Sequence, residues 1–189
     1  MSDQRIKEMT RKNFTEAFWL LYEKKDIKKI SVNEICQLAG YHRNSFYRYF
    51  SDVYDVLEQI EDHVIDDILL NTDSGLVLGD PYETADRYLK IWKENERYLR
   101  VFADERRSSS FQAKMTARLK EEHMRLFLYS EDAELDDYIW EYNMTGAVAA
   151  MLYYFRKEEH EMGLDDVIIL LMGFRDTVGY SLKIREDKK

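Results

Sequence analysis

The sequence predicts an all-α protein, and three observations point there. Its 189 residues include one Pro and seven Gly, too few turn-formers for the many reversals of a β fold. Apolar side chains return at helical spacing in one segment after another. Apolar residues make up 45% of the chain, enough to pack a core. The length suits one ordinary domain or a small domain joined to a larger helical one.

The first helix runs from about Gln4 to Lys25, with Ile6, Met9, Phe14, Ala17, Phe18 and Leu21 as its apolar stripe. A short loop follows Lys24 and Lys25. Ser31 and Glu34 then form a capping box, each side chain serving a backbone donor at the next helix start. Val32, Ile35, Cys36 and Ala39 give that helix one apolar face, and Gly40 suits the left-handed turn that closes it. Phe46 and Phe50, four apart, turn the following helix inward. Asn44, Ser45, Tyr47 and Arg48 then point away from that face, with Arg43 on the flank. Two short helices crossing at a tight turn describe a helix-turn-helix over about residues 31–50.

Asp52 can cap a fourth helix, long enough to leave a three-helix unit and connect two domains, 1–60 and 61–189. Asn71 to Gly79 has the composition of a loop. Asp80-Pro81-Tyr82-Glu83 starts another helix, continued by Ala85, Tyr88, Leu89 and Trp92. A break near Asn95 precedes a short helix through Tyr98, Leu99 and Phe102. After a loop from Arg106 to Ser110, Phe111, Met115, Leu119 and Leu126 mark a longer helix. A polar turn from Ser130 to Glu134 leads to two strong helices, Leu135 to Lys157 and Leu164 to about Lys183. Gly146, Ala147, Ala149 and Ala150 would let a neighbouring helix approach the first closely, and Val167, Ile168, Leu171, Phe174, Val178 and Leu182 form a wide stripe on the second.

The net charge of −9 is unevenly placed. Residues 1–60 hold ten bases and nine acids, leaving 18 bases and 28 acids for the rest. Local basic placement, not overall charge, decides phosphate contact. The one cysteine, Cys36, falls on an apolar face and reads as a core residue in a reducing compartment. No apolar run follows the charged N-terminus as in a signal peptide, and VIILLMGF is too short to span a bilayer. The expectation is a cytoplasmic protein. No nucleophile motif, phosphate-binding Gly loop or zinc signature is present, so neither an enzyme nor a cofactor is expected. His123 and His160 lie among acids but lack tight ligand spacing, and such charge runs read as solvated helix faces rather than metal sites.

The helix-turn-helix resembles the DNA-binding domain of TetR-family transcriptional regulators. Ser31, Val32, Ile35, Ala39, Gly40, Ser45, Phe46, Tyr47 and Phe50 stand at the key positions of that pattern. The wording EIC, HRNSFYRYF and DVYDVL is similar to a branch common in low-GC Gram-positive bacteria. Tyr49 replaces the usual His, and Val53 replaces a Lys that in many members holds a DNA phosphate. Beyond the motif, the helix order and NERYLRVF resemble the family's C-terminal domain.

The resemblance implies a three-helix DNA-binding domain followed by a larger ligand-binding and dimerisation domain. It implies a ligand-responsive repressor that binds an inverted-repeat operator in double-stranded DNA as a homodimer. His42, Arg43, Asn44, Ser45, Tyr47, Arg48 and Tyr49 become the DNA-contact candidates. Arg43 suits a guanine edge, with His42 and Asn44 also able to reach bases, while the hydroxyls of Ser45 and Tyr47 suit phosphate oxygens. Tyr88, Trp92, Phe102, Met115, Phe127, Trp140 and Met144 become candidates for the wall of an effector pocket, with Tyr142, Tyr153, Met124 and Met151 beside them. Such walls suit an apolar or aromatic small molecule. Gly146, Ala150, Leu171, Val178 and Leu182 become candidates for the dimer interface. The different-class alternative is a helical ligand- or protein-binding module of co-activator type that has lost DNA binding.

Overall fold

The computed structural model describes residues 3–70, 81–104, 110–126 and 133–173, and among these it contains helices and no strand. It divides into two compact units, Met1–His63 and Val64–Lys189.

The first unit is built on α1 (Asp3–Tyr22), α2 (Val32–Ala39), α3 (Arg43–Phe46) and the start of α4 (Val53–Leu70). Phe14, Ala17, Phe18, Trp19 and Tyr22 of α1 are buried, and α1 packs along α2. Ile6 and Met9, expected in the same stripe, are 45% and 46% exposed. The reason is length. A twenty-residue helix is about 30 Å long, whereas an eight-residue partner covers only about 12 Å of it.

Each junction is closed by local hydrogen bonds. Asp26 caps a single 3-10 turn, Ile27–Lys29, by accepting from the Lys28 N–H at 2.8 Å. At α2, Ser31 Oγ accepts from the Glu34 N–H at 3.3 Å while Glu34 Oε2 accepts from the Ser31 N–H at 2.9 Å. Lys25 Nζ donates to Glu34 Oε1 at 2.6 Å. That ammonium and the Ser31 donors hold the Glu34 carboxyl down at about 2. The helix ends at Gly40 with φ 76°, ψ 28°, and the Tyr41 N–H reaches back to Cys36 O at 3.0 Å, a Schellman termination. Asp52 does cap α4: its Oδ1 accepts from the Asp55 N–H at 2.9 Å, and Asp55 Oδ2 accepts from the Ser51 N–H at 2.7 Å.

The second unit contains the C-terminal part of α4, α5 (Pro81–Glu94), α6 (Glu96–Phe102), α7 (Phe111–Leu126), α8 (Ala133–Arg156) and α9, helical over 164–173. The break between α5 and α6 falls at Asn95, which is buried and donates its amide to Ile91 O at 3.1 Å. Phe102 stacks on Phe111 at 4.3 Å across the α6–α7 connection. Lys120 ties α7 to α8 through Asp137 at 2.6 Å and Glu141 at 3.4 Å. Asp80, Phe127, Val178 and Leu182 lie outside the described residues.

Unfolded, the Glu34 carboxyl titrates near 4.5; folded, near 2. Its contribution is therefore fully present above about pH 4.5 and is lost as pH falls through about 2. The melting-temperature gap between wild type and Glu34→Gln should narrow across that window, and a constant gap would place the stabilisation elsewhere. Gly40→Ala meets open space but keeps the positive φ. Chemical denaturation should show a loss of about 1–2 kcal/mol, the cost of a Cβ in the left-handed region.

Candidate nucleic-acid interface and ligand cavity

The α3 segment is positioned by aromatic rings. Phe46 is fully buried and Phe50 nearly so, their centroids 5.3 Å apart. Both meet Phe14 of α1 edge-on, at 5.5 Å and 6.3 Å. Phe14 also contacts Tyr41 at 5.1 Å and Tyr49 at 6.2 Å. Asn13 Nδ2 donates to Tyr41 Oη at 3.1 Å, adding a polar tie beside the cluster.

The expected reading helix, Arg43 to Tyr49, is shorter than predicted. Regular α-helix ends at Phe46, and residues 47–49 form a turn. The turn is held by Tyr49 N–H to Phe46 O at 2.9 Å and Phe50 N–H to Phe46 O at 3.0 Å. Sequence periodicity places Phe50 one turn beyond Phe46 but does not distinguish regular helix from a tightened end.

His42, Arg43, Asn44, Tyr47 and Arg48 are exposed, whereas Ser45 and Tyr49 are half-buried. His42 occupies the N-cap position without a side-chain cap bond. Arg43 is oriented by its own helix: Nη2 donates to Tyr47 Oη at 3.0 Å, with the guanidinium carbon 5.8 Å from the Tyr47 ring centre. Tyr49 packs its ring on Phe14 and Phe50. Val53 is only 8% exposed and belongs to the core, while its neighbour Tyr54 is exposed. Cys36 is also buried, and burial pushes its thiol up against a smaller opposing pull from Arg43.

Within the second unit lies a largely apolar cavity of about 350 Å³, in the size range of small-molecule sites. Of the pocket candidates, Tyr88, Trp92, Met115 and Met144 line it, as do Tyr142 and Met151. Phe102 and Trp140 are buried without being on the lining, and Phe102 is instead stacked on Phe111. Sequence reasoning missed Ile68, Leu119 and Asn143 on the wall. Asn143 carried a readable signal, a polar residue at helical spacing from Ile139 and Ala147 on an otherwise apolar run.

Gly146, Ala150 and Leu171, candidates for a dimer contact, also line the cavity. Gly146 is exposed and continues a stripe of exposed apolar side chains on α8: Leu135, Tyr138, Tyr142 and Tyr153. On a helical wheel these positions fall within roughly 80° of one another. On α9, Ile169 and Leu170 are exposed as well. Among the described residues there is no group of three or more potential metal ligands, and no helix is long and apolar enough to cross a membrane.

No protein-family profile and no curated protein matches the chain. Solved structures do. A TetR transcriptional regulator from Streptococcus agalactiae 2603V superposes with a TM-score of 0.67 at 15% identity, covering 91% of this chain and 96% of that one. A protein assigned to the TetR family from Syntrophomonas wolfei gives 0.66 at 16%, covering 92% and 96%. The dihydroxyacetone kinase operon activator DhaS gives 0.58 at 17%, covering 93% and 97%. The fold of this chain is that of the TetR-family transcriptional regulators.

Proposed function

We propose that this protein is a sequence-specific, DNA-binding transcriptional regulator of the cytoplasm, a ligand-responsive repressor that binds an inverted-repeat operator as a homodimer. One observation carries the reading most directly. Arg43, Asn44, Tyr47 and Arg48 are exposed on a segment whose other side is anchored by buried Phe46 and Phe50, within a helix-turn-helix. An exposed polar face on such a segment fits the major groove.

In this reading Arg43 addresses a guanine edge, and its bond to Tyr47 reduces the freedom lost on binding. Val53 is core rather than a phosphate anchor, and next to it in the chain the exposed Tyr54 carries a hydroxyl able to serve a phosphate. The exposed stripe of α8, with Ile169 and Leu170 of α9, is the face of the dimer. A molecule in the cavity touches α8 and α9, and on α8 it meets Tyr142 and Gly146 of the exposed stripe itself. Its binding represses or releases only to the extent that it favours one dimer geometry over another.

Buried Val53 and the near-balanced charge of residues 1–60 favour a second reading, a co-activator module without DNA binding. Genome-wide selection of bound fragments, followed by salt-dependent mobility shifts, separates the two. A regulator returns an inverted repeat and its neighbouring genes, whereas a pure interaction module returns no enriched DNA.

Arg43→Ala should cost about 1–3 kcal/mol on the selected operator and relax preference at one position per half-site. Binding across single-base operator variants checks this, and uniform weakening would make Arg43 a phosphate contact. Tyr138 is 68% exposed, so Tyr138→Glu should leave the subunit folded. It should bury an unpaired charge at the interface at a cost of several kcal/mol. The variant is expected to keep its helical circular dichroism, sediment as a monomer and lose operator affinity; an intact dimer with normal affinity would place the contact elsewhere.

A further inference from the structure

The cavity is not closed within one subunit. Tyr142 and Gly146 of α8 line it, yet Tyr142 is 74% exposed and Gly146 is exposed as well. A molecule resting against them keeps an edge in water. Both residues belong to the stripe that also carries Tyr138 and Tyr153. Whatever covers the stripe therefore covers the opening. Packing inside the subunit does not explain the glycine: it weakens a helix relative to alanine, and a Cβ added at Gly146 meets nothing within 4 Å. A side chain missing from the outer face lets a second helix come close, because the side chains at a contact set the distance between axes.

The residues on either side are arranged to meet a copy of the same helix. Tyr138 and Tyr153 lie equally far from the Thr145–Gly146 bond, as do Tyr142 and Ala149, and Glu134 and Lys157. A two-fold axis across α8 at that bond sets tyrosine against tyrosine, the large Tyr142 against the small Ala149, and an acid against a base. Glu134 and Lys157 are exposed and Ala149 is half-buried. Lys157 Nζ sits 5.1 Å from the centre of the Tyr153 ring, so the ammonium lies on the stripe. Self-complementarity of this kind is what a two-fold interface needs, because one patch serves both subunits. A parallel pairing would set Glu134 against Glu134 and Lys157 against Lys157.

We propose that a second copy of this chain completes the ligand cavity: its α8 crosses the first antiparallel at Gly146 and closes the opening beside Tyr142. This deepens the dimer and the effector cavity proposed above and rests on them. Closing the opening takes apolar surface of the bound molecule out of water, so each subunit's ligand is held partly by the partner. Occupancy and dimerisation are then linked, and each strengthens the other by the same factor.

The uncharged fluorophore N-phenyl-1-naphthylamine is the probe, since no described lining side chain carries a charge at neutral pH. Fluorescence titration of the full chain gives its affinity, and sedimentation of the same solutions gives the oligomeric state. Tyr138 and Lys157 are not on the described wall, so changes there reach the probe through the partner. Tyr138→Glu and Lys157→Glu should each weaken the dimer, and the monomer should bind the probe about tenfold more weakly than the wild-type dimer. Glu134→Lys should also weaken the dimer, whereas Glu134→Lys combined with Lys157→Glu should restore both dimer and probe affinity. Saturating probe should lower the dimer dissociation constant of Lys157→Glu by about tenfold for each site filled. Lys157→Glu alters an exposed side chain and keeps the test decisive even where Tyr138→Glu fails to fold.

Monomeric variants that bind the probe as tightly as the wild-type dimer overturn the inference and leave the dimer reading intact. Opposite reversals that fail to restore each other overturn the antiparallel crossing, and the inference with it. A wild-type dimer that binds no probe ends the inference together with the apolar effector cavity, while the dimer stands. A wild-type chain that sediments as a monomer at every concentration ends the dimer reading itself, and with it the inference.

Discussion

The contact of Phe46 and Phe50 with Phe14 is the constraint on which the exposed polar face of the helix-turn-helix depends. A four-residue helix cannot stand alone, because nucleation fixes several residues in return for a single hydrogen bond. Here α3 is that short, and its conformation is imposed from one side by the aromatic cluster. The side chains opposite are consequently free to be polar. Arg43, Asn44 and Arg48 are exposed and take no part in the core.

The caps around this cluster act at a different level. Ser31 with Glu34, Gly40, and Asp52 with Asp55 set where each helix begins or ends. They do so with bonds between residues only a few positions apart. Lys25 extends the first cap into a link with the end of α1. The pair is partly exposed, so it contributes direction more than large stability.

The second unit works with the opposite balance. Its core helices surround a largely apolar cavity of about 350 Å³, where an ordinary interior is close-packed. Gly146 and Ala150 are read from sequence as places where another helix approaches, yet both also border this cavity. Small side chains thin the wall between a ligand and the outer face of α8. In the proposed ligand-responsive dimer, that geometry gives occupancy a physical route to subunit packing.

The local elements were legible in the sequence because their causes are local. The capping box, the glycine turn, the Asp52 cap and the break at Asn95 each depend on residues within one or two helical turns of one another. The inward faces of Phe46 and Phe50 followed from spacing alone. Tertiary structure decided what depended on distant partners. It exposed Ile6 and Met9 because short helices cannot cover all of α1, and it drew Val53 into the core. It ended regular helix at Phe46, and it selected Asn143 rather than Phe102 or Trp140 for the cavity wall. Periodicity states which side of a helix is apolar, whereas only packing states how far that side is covered and where an opening remains.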